Sequence, residues 1–193
     1  MLKILWIGLL MVNLASCTSK PDTIYCKLLT EAGTIIVELY HDKAPLTVSN
    51  FMRYVDDQLY DSCTFFRACT PENEVGRTIK IEVIQGGDLP EVKRYGPICI
   101  ETTRETGLMH VDGAISMARD TPNSAQSDFF ICINAQSELD FGGKRNPDGK
   151  GFAAFGRVIQ GMEVVRKIQQ MACNQQLLRN PVMIISIRRI EKQ

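Results

Sequence analysis

The stretch GAISMARDTPNSAQSDFFI, residues 113–131, decides the fold of this chain. It begins with a small-residue turn and a short apolar run, continues into a polar loop around Pro122 and Asn123, and ends in an aromatic-rich segment. Proline fixes its own φ, and Asp, Asn and Ser side chains hydrogen-bond nearby backbone, so the loop is predicted to hold a defined shape. Because side chains alternate along a strand, Phe129 and Phe130 are predicted to point to opposite faces of a sheet. This pattern is typical of one wall of a binding groove.

Short strand patterns and two amphipathic helix patterns surround this stretch. The first helix pattern begins at Pro45 and the second covers residues 162–171, each with apolar residues at helical spacing. The candidate strands are residues 24–30, 34–40, 62–70, 79–84, 97–101, 114–118, 128–133, 153–159 and 182–190. With no repeat and no internal linker, these strands favour one mainly-β domain that closes into an antiparallel barrel, because closure removes exposed sheet edges.

The composition is that of an ordinary globular domain. The chain has 193 residues, of which 45% are apolar and 23% are charged, enough to bury a full core. Lys plus Arg and Asp plus Glu both number 22, so the formal net charge is zero. Without a basic surplus or a basic patch interleaved with aromatic residues, the sequence argues against nucleic acid as a partner.

The N-terminus differs from the rest of the chain. Lys3 is followed by an apolar run over residues 4–12 and then by LASC at residues 14–17, a pattern typical of a secretion signal. The apolar run is too short for a permanent membrane-spanning helix, which needs about 20 residues.

The LASC ending resembles a bacterial lipobox, in which the cysteine becomes the lipidated first residue of the mature chain. The resemblance implies a lipoprotein signal peptide at residues 1–16, lipidation of Cys17, a tether at residues 17–23 and a folded domain at residues 24–193. It also implies a lipid-anchored protein of the bacterial cell envelope, and Thr18, which is not an acidic retention signal, favours the outer membrane facing the periplasm. The alternative is an ordinary signal peptide in which Cys17 is incidental.

Metal-dependent and covalent catalysis have little support in the sequence. His41 and His110 have no ligand-like spacing and are predicted to be solvated turn residues. No G-x-S-x-G elbow or phosphate-binding loop occurs. The cysteines match no zinc motif; Cys132 is predicted to be buried, and a Cys63–Cys69 disulfide is left open because it would need a bulge in the chain. No metal or cofactor is therefore predicted.

Several separated segments, taken in order, carry a family resemblance. They are GTIIVEL at residues 33–39, DKAP at 42–45, FFR at 65–67, QGGD at 85–88, the stretch at 113–131, and FGRV at 155–158. From about residue 25 to the C-terminus the chain resembles the cyclophilins, the cyclophilin-type peptidyl-prolyl cis-trans isomerases. The resemblance implies a closed eight-stranded antiparallel β-barrel capped by two α-helices, with an outer substrate groove. It further implies an isomerase that needs no cofactor and acts on proline-containing polypeptides.

Two residues are implied to be catalytic. Isomerisation of an X-Pro amide breaks no bond, but resonance opposes it with a barrier of roughly 18–20 kcal/mol. As the amide twists, the prolyl nitrogen regains a lone pair, so a fixed cation that donates toward it stabilises the transition state more than the ground state. By the resemblance, Arg67 is that cation, and Gln85 orients it and hydrogen-bonds the substrate backbone.

The resemblance also assigns substrate-binding positions. They are Phe130 and Leu139 on an apolar floor, Met117, Ala118 and Arg119 on the adjacent wall, Phe152 as an aromatic cap, and Glu82, Val83 and Asp128 where this chain departs from the family. Glu82 stands where a pocket Phe is usual and Val83 where a pocket Met is usual, which predicts a weakened floor. The spacing between the catalytic pair is longer than in compact members, so residues 71–80 are interpreted as an insertion.

Three functional hypotheses follow. The leading one is a monomeric, lipid-anchored isomerase that accelerates folding of exported proteins, for which uncatalysed X-Pro exchange can be limiting. The alternative, motivated by Glu82 and Val83, is a non-catalytic module that binds proline-containing segments of a partner. The third is a structural lipoprotein that binds no proline peptide.

Overall fold

The computed structural model describes residues 23–192. The strands are β1 Thr23–Thr30, β2 Gly33–Tyr40, β3 Thr64–Cys69, β4 Val83–Gly86, β5 Ala114–Met117, β6 Phe129–Cys132, β7 Ala153–Gln160, β8 Cys173–Asn174 and β9 Leu177–Ile190. The α-helices are α1 Pro45–Asp56, α2 Thr103–Thr106 and α3 Met162–Gln169, and single 3-10 turns occur at Glu91–Lys93 and Ser137–Leu139. The predicted signal peptide and Cys17 lie outside the described residues, whereas residue 23, assigned to the tether, already belongs to β1.

Eight of these strands close into a barrel. They are hydrogen-bonded in the order β1-β2-β7-β5-β6-β4-β3-β9, and β9 returns to pair with β1. Every pairing is antiparallel, and the two-residue β8 forms a hairpin with the start of β9. The predicted eight-stranded antiparallel barrel is therefore confirmed.

The barrel interior holds the main core, which the two longer helices cover. Helix α1 begins at Pro45 as predicted and buries Phe51, whose ring centroid lies 5.5 Å from that of Phe129 and 5.2 Å from that of Phe155. Perpendicular and tilted ring pairs at this spacing add to the free energy of apolar burial. Helix α3 buries Val164, Val165 and Ile168 on its inner face. The one-turn α2, with its Thr102–Glu105 capping box, adds a third helix to the two that the sequence predicts.

Three predicted strands differ from the structure by more than two residues at one end or do not form. The strand expected at residues 79–84 is instead Val83–Gly86, because residues 71–82 form a loop held by Glu74, which accepts a hydrogen bond from the backbone N–H of Ile81. The segment 97–101 makes only one bridge, between Ile98 and Ala125. The last strand begins at Leu177, not at residue 182.

The structure also shows the state of the cysteines and the burial of His110. Cys63 and Cys69 are buried free thiols, so the disulfide left open by the sequence does not form, and Cys132 is buried as predicted. His110 is 1% exposed, which shows that its assignment as a solvated turn residue is wrong. Across residues 23–192, no helix is long and apolar enough to cross a bilayer, and no group of three or more potential metal-ligating side chains comes together.

Candidate active site

A cavity of about 300 Å³ opens on the outer side of the barrel, beside β3, β4 and β6. Most of the predicted site residues line it: Arg67, Val83, Gln85, Ala118, Arg119, Asp128, Phe130, Leu139 and Phe152. The loop at residues 118–128 forms one wall, and strands distant from it in sequence supply the opposite side. Residues 113–131 and the predicted catalytic pair therefore meet at one groove.

The floor of this groove is apolar. Phe130 and Leu139 belong to a small hydrophobic cluster, separate from the barrel core, that also contains Ile81 and Val83 and packs against Phe152. The rings of the two phenylalanines are nearly perpendicular, with centroids 5.4 Å apart. Such a surface suits the ring of a proline, because burying apolar area against it is favourable.

Strand alternation explains which side chains reach the floor. Phe129 is fully buried in the barrel core while Phe130 lies in the floor cluster, which confirms the predicted opposite orientations. Met117 is a correction: it is 1% exposed and packs in the barrel core with Ile115, two residues earlier on β5. Because side chains two residues apart share a face, Met117 points inward, and Ala118 is the wall residue.

Glu82 is a second correction. It does not line the cavity, and its Oε1 accepts a hydrogen bond of 3.1 Å from Nδ2 of Asn134. Ile81, Val83 and Gln85 line the cavity instead. Ile81, in the loop that precedes β4, belongs to the apolar cluster and keeps apolar the floor that Glu82 was predicted to weaken.

His110 lies directly behind the floor. Its ring stacks on Phe130 at a centroid distance of 5.9 Å, Nδ1 lies 2.7 Å from Oδ1 of Asp140, and Nε2 lies 3.0 Å from Oγ of Ser116. A carboxylate only accepts hydrogen bonds, so Nδ1 carries the hydrogen. Although Ser, His and Asp stand in the order of a hydrolytic triad, Ser116 is fully buried and offers no access to a substrate. The set supports Phe130 and supplies no nucleophile.

Arg67 and Gln85 face each other across paired strands. They are register partners in β3 and β4, and Nη1 of Arg67 donates to Oε1 of Gln85 at 2.8 Å. Gln176, in the β8–β9 turn, accepts two further hydrogen bonds on Oε1, from Nε at 2.9 Å and from Nη2 at 2.5 Å. Hydrogen bonds from three guanidinium nitrogens fix the direction of a planar group. Arg67 is 26% exposed and presents a fixed positive charge to the cavity.

Arg119 lines the cavity, and its guanidinium is held by a neighbouring loop. Its guanidinium donates to both carboxylate oxygens of Asp148, at 2.7 and 2.8 Å, and to the carbonyl of Gly151. The side chain is only 1% exposed. These hydrogen bonds from Arg119 lower the pKa of Asp148 to about 2. Arg119 therefore connects the groove wall to the loop at residues 142–151.

Asp128 lines the cavity as a partly buried carboxylate. Its Oδ1 lies 3.7 Å from Nη2 of Arg94 and accepts a hydrogen bond of 3.1 Å from the Ser127 hydroxyl. Burial raises the pKa of Asp128 above its usual value, and the charge of Arg94 offsets part of that rise. Asp128 thus adds a polar side to a groove whose floor is apolar.

Three residues that shape the site were missed by the sequence analysis: Ile81, Glu74 and Gln176. The insertion at residues 71–80 was recognised, but its length did not show which side chain it would place at the floor or beside Arg67. Gln176 lies 109 residues from Arg67 in sequence, and no local pattern links the two.

A family comparison decides the assignment that this geometry suggests. The model of the family described as cyclophilin type peptidyl-prolyl cis-trans isomerase/CLD matches residues 25–190. This chain belongs to that family. The match confirms the predicted family, and with the curated relatives it confirms the predicted enzyme class, an isomerase of X-Pro bonds.

Curated relatives span most of the chain. A peptidyl-prolyl cis-trans isomerase of Acinetobacter baylyi is 34% identical over 171 residues, which are 83% of this chain and 82% of the relative. Peptidyl-prolyl cis-trans isomerase B of Escherichia coli is 34% identical over 146 residues, covering 74% of this chain and 82% of the relative.

Solved structures of the family share the fold. A cyclophilin-type isomerase of Cryptosporidium parvum superposes with a TM-score of 0.70 at 21% identity, over 89% of this chain and 99% of that one. Its structure in the presence of the dipeptide Ala-Pro gives a TM-score of 0.69. At this identity the likeness supports the barrel architecture only.

Proposed function

We propose that the groove isomerises X-Pro bonds with Arg67 as the catalytic cation. The observation that carries this assignment is the guanidinium of Arg67, fixed by Gln85 and Gln176, beside an apolar floor centred on Phe130. With the proline ring on that floor, the prolyl nitrogen is the substrate atom that Arg67 would address. A donor fixed in advance stabilises the developing lone pair without reorganising during the reaction.

The remaining predicted residues bind the substrate around this centre. Gln85 is proposed to contact the substrate backbone, Ala118 and the backbone near Arg119 form the wall, and Phe152 closes the floor at its outer end. Asp128 contributes a polar contact at the cavity lining. No step requires a metal or a cofactor, because rotation about the amide needs neither an electron carrier nor a nucleophile.

The proposed setting is the bacterial cell envelope. A signal peptide at residues 1–16 would direct export and then be removed, and lipid on Cys17 would hold a monomeric domain, residues 24–193, at the outer membrane facing the periplasm, where exported proteins fold. The LASC pattern at residues 14–17 supports this proposal. Metabolic labelling with a fatty-acid analogue tests it: the label is expected on the wild-type protein and absent from Cys17→Ser, and an unlabelled wild-type protein would contradict it.

The catalytic assignment is tested by NMR exchange measurements on a proline peptide with the full chain in detergent. Arg67→Ala is expected to lower kcat/KM by roughly 100-fold or more, as the loss of a transition-state donor does elsewhere. Unchanged exchange rates in Arg67→Ala would overturn the assignment.

The non-catalytic alternative is distinguished by the same experiment. It is motivated by Glu82 and Val83; Val83 lines the cavity, but Glu82 does not. Peptide binding by the wild-type protein without accelerated exchange would favour this alternative over an isomerase.

A further inference from the structure

We propose that Glu74 is a positioning residue, which acts through Gln176 to hold Arg67 in its catalytic orientation. This inference rests on the proposed function, because it concerns how the catalytic cation is held. Glu74 belongs to the insertion at residues 71–80 and is fully buried, although it lies in a loop. A buried carboxylate is costly unless charged and polar partners surround it, so its partners indicate what it does.

Every oxygen of the Glu74 carboxylate is engaged. Oε2 accepts from Nη1 of Arg145 at 2.6 Å and from the backbone N–H of Ile81 at 2.9 Å. Oε1 accepts from Nη2 of Arg145 at 2.7 Å and from Nε2 of Gln176 at 3.1 Å. The pKa of Glu74 reflects both sides of this environment: burial raises it, but the Arg145 and Ile81 hydrogen bonds and the charges of Arg145 and Arg67 lower it below its usual value. The carboxylate is ionised at neutral pH.

The Gln176 amide links the charge of Glu74 to the orientation of Arg67. An amide has one accepting and one donating end, and a carboxylate only accepts. The charge of Glu74 therefore draws the NH₂ end of Gln176 toward itself and leaves Oε1 toward Arg67, which can only donate. If the amide rotated by half a turn, donor would face donor at Arg67 and acceptor would face acceptor at Glu74.

The distances indicate that Glu74 acts mainly through this amide. Its Oε1 lies 4.0 Å from Nη2 of Arg67, beyond hydrogen-bond range, whereas Arg145 forms the direct bidentate pair. Arg145 thus compensates the charge of Glu74, and Arg67 keeps its charge available to the groove. Three separate loops meet here: the insertion, the segment at residues 142–151 and the β8–β9 turn.

Substitutions at both ends of the relay test the proposal, in the full chain with a proline peptide. Gln176→Leu removes the acceptor for Nε and Nη2 of Arg67 and the donor to Glu74, at a partly exposed residue of a turn. Glu74→Gln keeps the shape but no longer sets the amide direction. Each is expected to lower kcat between about 10-fold and about 100-fold, as small misplacements of catalytic groups do, with KM changed less than about twofold.

The double variant and a control separate positioning from stability. If Glu74 acts through Gln176, adding Glu74→Gln to Gln176→Leu should lower kcat no further. The control is Asp61→Asn, which breaks the bidentate pair with Arg188 and does not touch the groove; kcat is expected to remain at the wild-type value. In NMR spectra, the Nε–H resonance of Arg67 should shift in both single variants and not in the control.

The outcomes distinguish this inference from the proposed function. If Arg67→Ala is slow while Gln176→Leu and Glu74→Gln both keep the wild-type kcat, the positioning role is overturned and Arg67 remains catalytic. Additive losses in the double variant also overturn it, because they mean that Glu74 acts independently of Gln176. If Arg67→Ala itself keeps the wild-type rate, the proposed catalytic centre fails, and the inference fails with it.

Discussion

The floor of the groove and its rim are held together by different interactions. The floor is an apolar cluster around Phe130, while the rim consists of loops joined by charged pairs, Arg119 with Asp148 and Arg145 with Glu74. Apolar stabilisation follows the area removed from water, whereas a bidentate pair depends on the placement of a few atoms. Substitutions in the floor should therefore weaken stability and substrate binding together, and substitutions in the rim should act through the atoms that each pair positions.

Phe130→Ala should have the largest effect. The ring is 5% exposed and is in contact with both Phe152 and His110, so its removal leaves a cavity in the floor. The free energy of unfolding is expected to fall by about 3 kcal/mol, and proline-peptide binding should weaken strongly. Urea unfolding and NMR titration measure the two quantities. Phe141→Ala, at an aromatic outside the cavity, is the control, and an unchanged peptide affinity in Phe130→Ala would contradict the assignment of the floor.

The pair Ile81→Ala and Glu82→Ala sharpens the boundary of the floor. Ile81 is 6% exposed and belongs to the floor cluster, so its truncation should reduce the free energy of unfolding by about 2 kcal/mol and raise the Kd of a proline peptide. Glu82 points to Asn134, and its truncation should leave that Kd within about twofold of wild type, since surface substitutions rarely matter. A larger rise in Kd for Glu82→Ala than for Ile81→Ala would show that Glu82 faces the substrate.

Asp140→Ala probes the support behind the floor. Oδ1 of Asp140 accepts from both Nδ1 and the backbone N–H of His110, so the alanine leaves two buried donors without their acceptor. Stability is expected to fall by about 1–3 kcal/mol, the cost of a buried unsatisfied group. Asp112→Ala serves as the control, because the side chain of Asp112 is 44% exposed and pairs with Arg166, and it should change stability by less than about 1 kcal/mol. Equal losses in the two variants would refute a special role for the buried site.

Asp148→Asn concerns the rim and should have the smallest effect. Arg119 lowers the pKa of Asp148 to about 2, so the ionised pair stabilises the fold above the unfolded pKa of about 3.9. This contribution is lost as the pH falls from about 4 through about 2. Solvent screening limits it to less than about 1 kcal/mol. The free energy of unfolding should be measured over this pH range for wild type and Asp148→Asn. The difference between the two proteins should shrink as the pH falls, and a difference that stays constant would contradict the ion pair.

The sequence predicted the fold better than the loops around the site. Strand periodicity located most barrel strands, and the ordered motifs identified Arg67, Gln85 and Phe130 as residues that share one groove. The sequence did not identify Ile81 as the pocket residue next to β4, because a period-two pattern cannot be assigned to a face until the start of the strand is known. It also misjudged His110, because an isolated histidine in a turn-like segment carries no signal of burial.

What the sequence determined by itself was the family, the closed antiparallel barrel and the opposite orientations of Phe129 and Phe130. These follow from patterns that are local or that recur in a fixed order along the chain. Only the tertiary structure decided that Ile81 and not Glu82 forms the floor, and which side chains hold Arg67. Those contacts depend on the paths of three loops, and they join residues that lie as far as 109 positions apart in the sequence. At such separations the partners are selected by packing and hydrogen-bond geometry, which no sequence periodicity encodes.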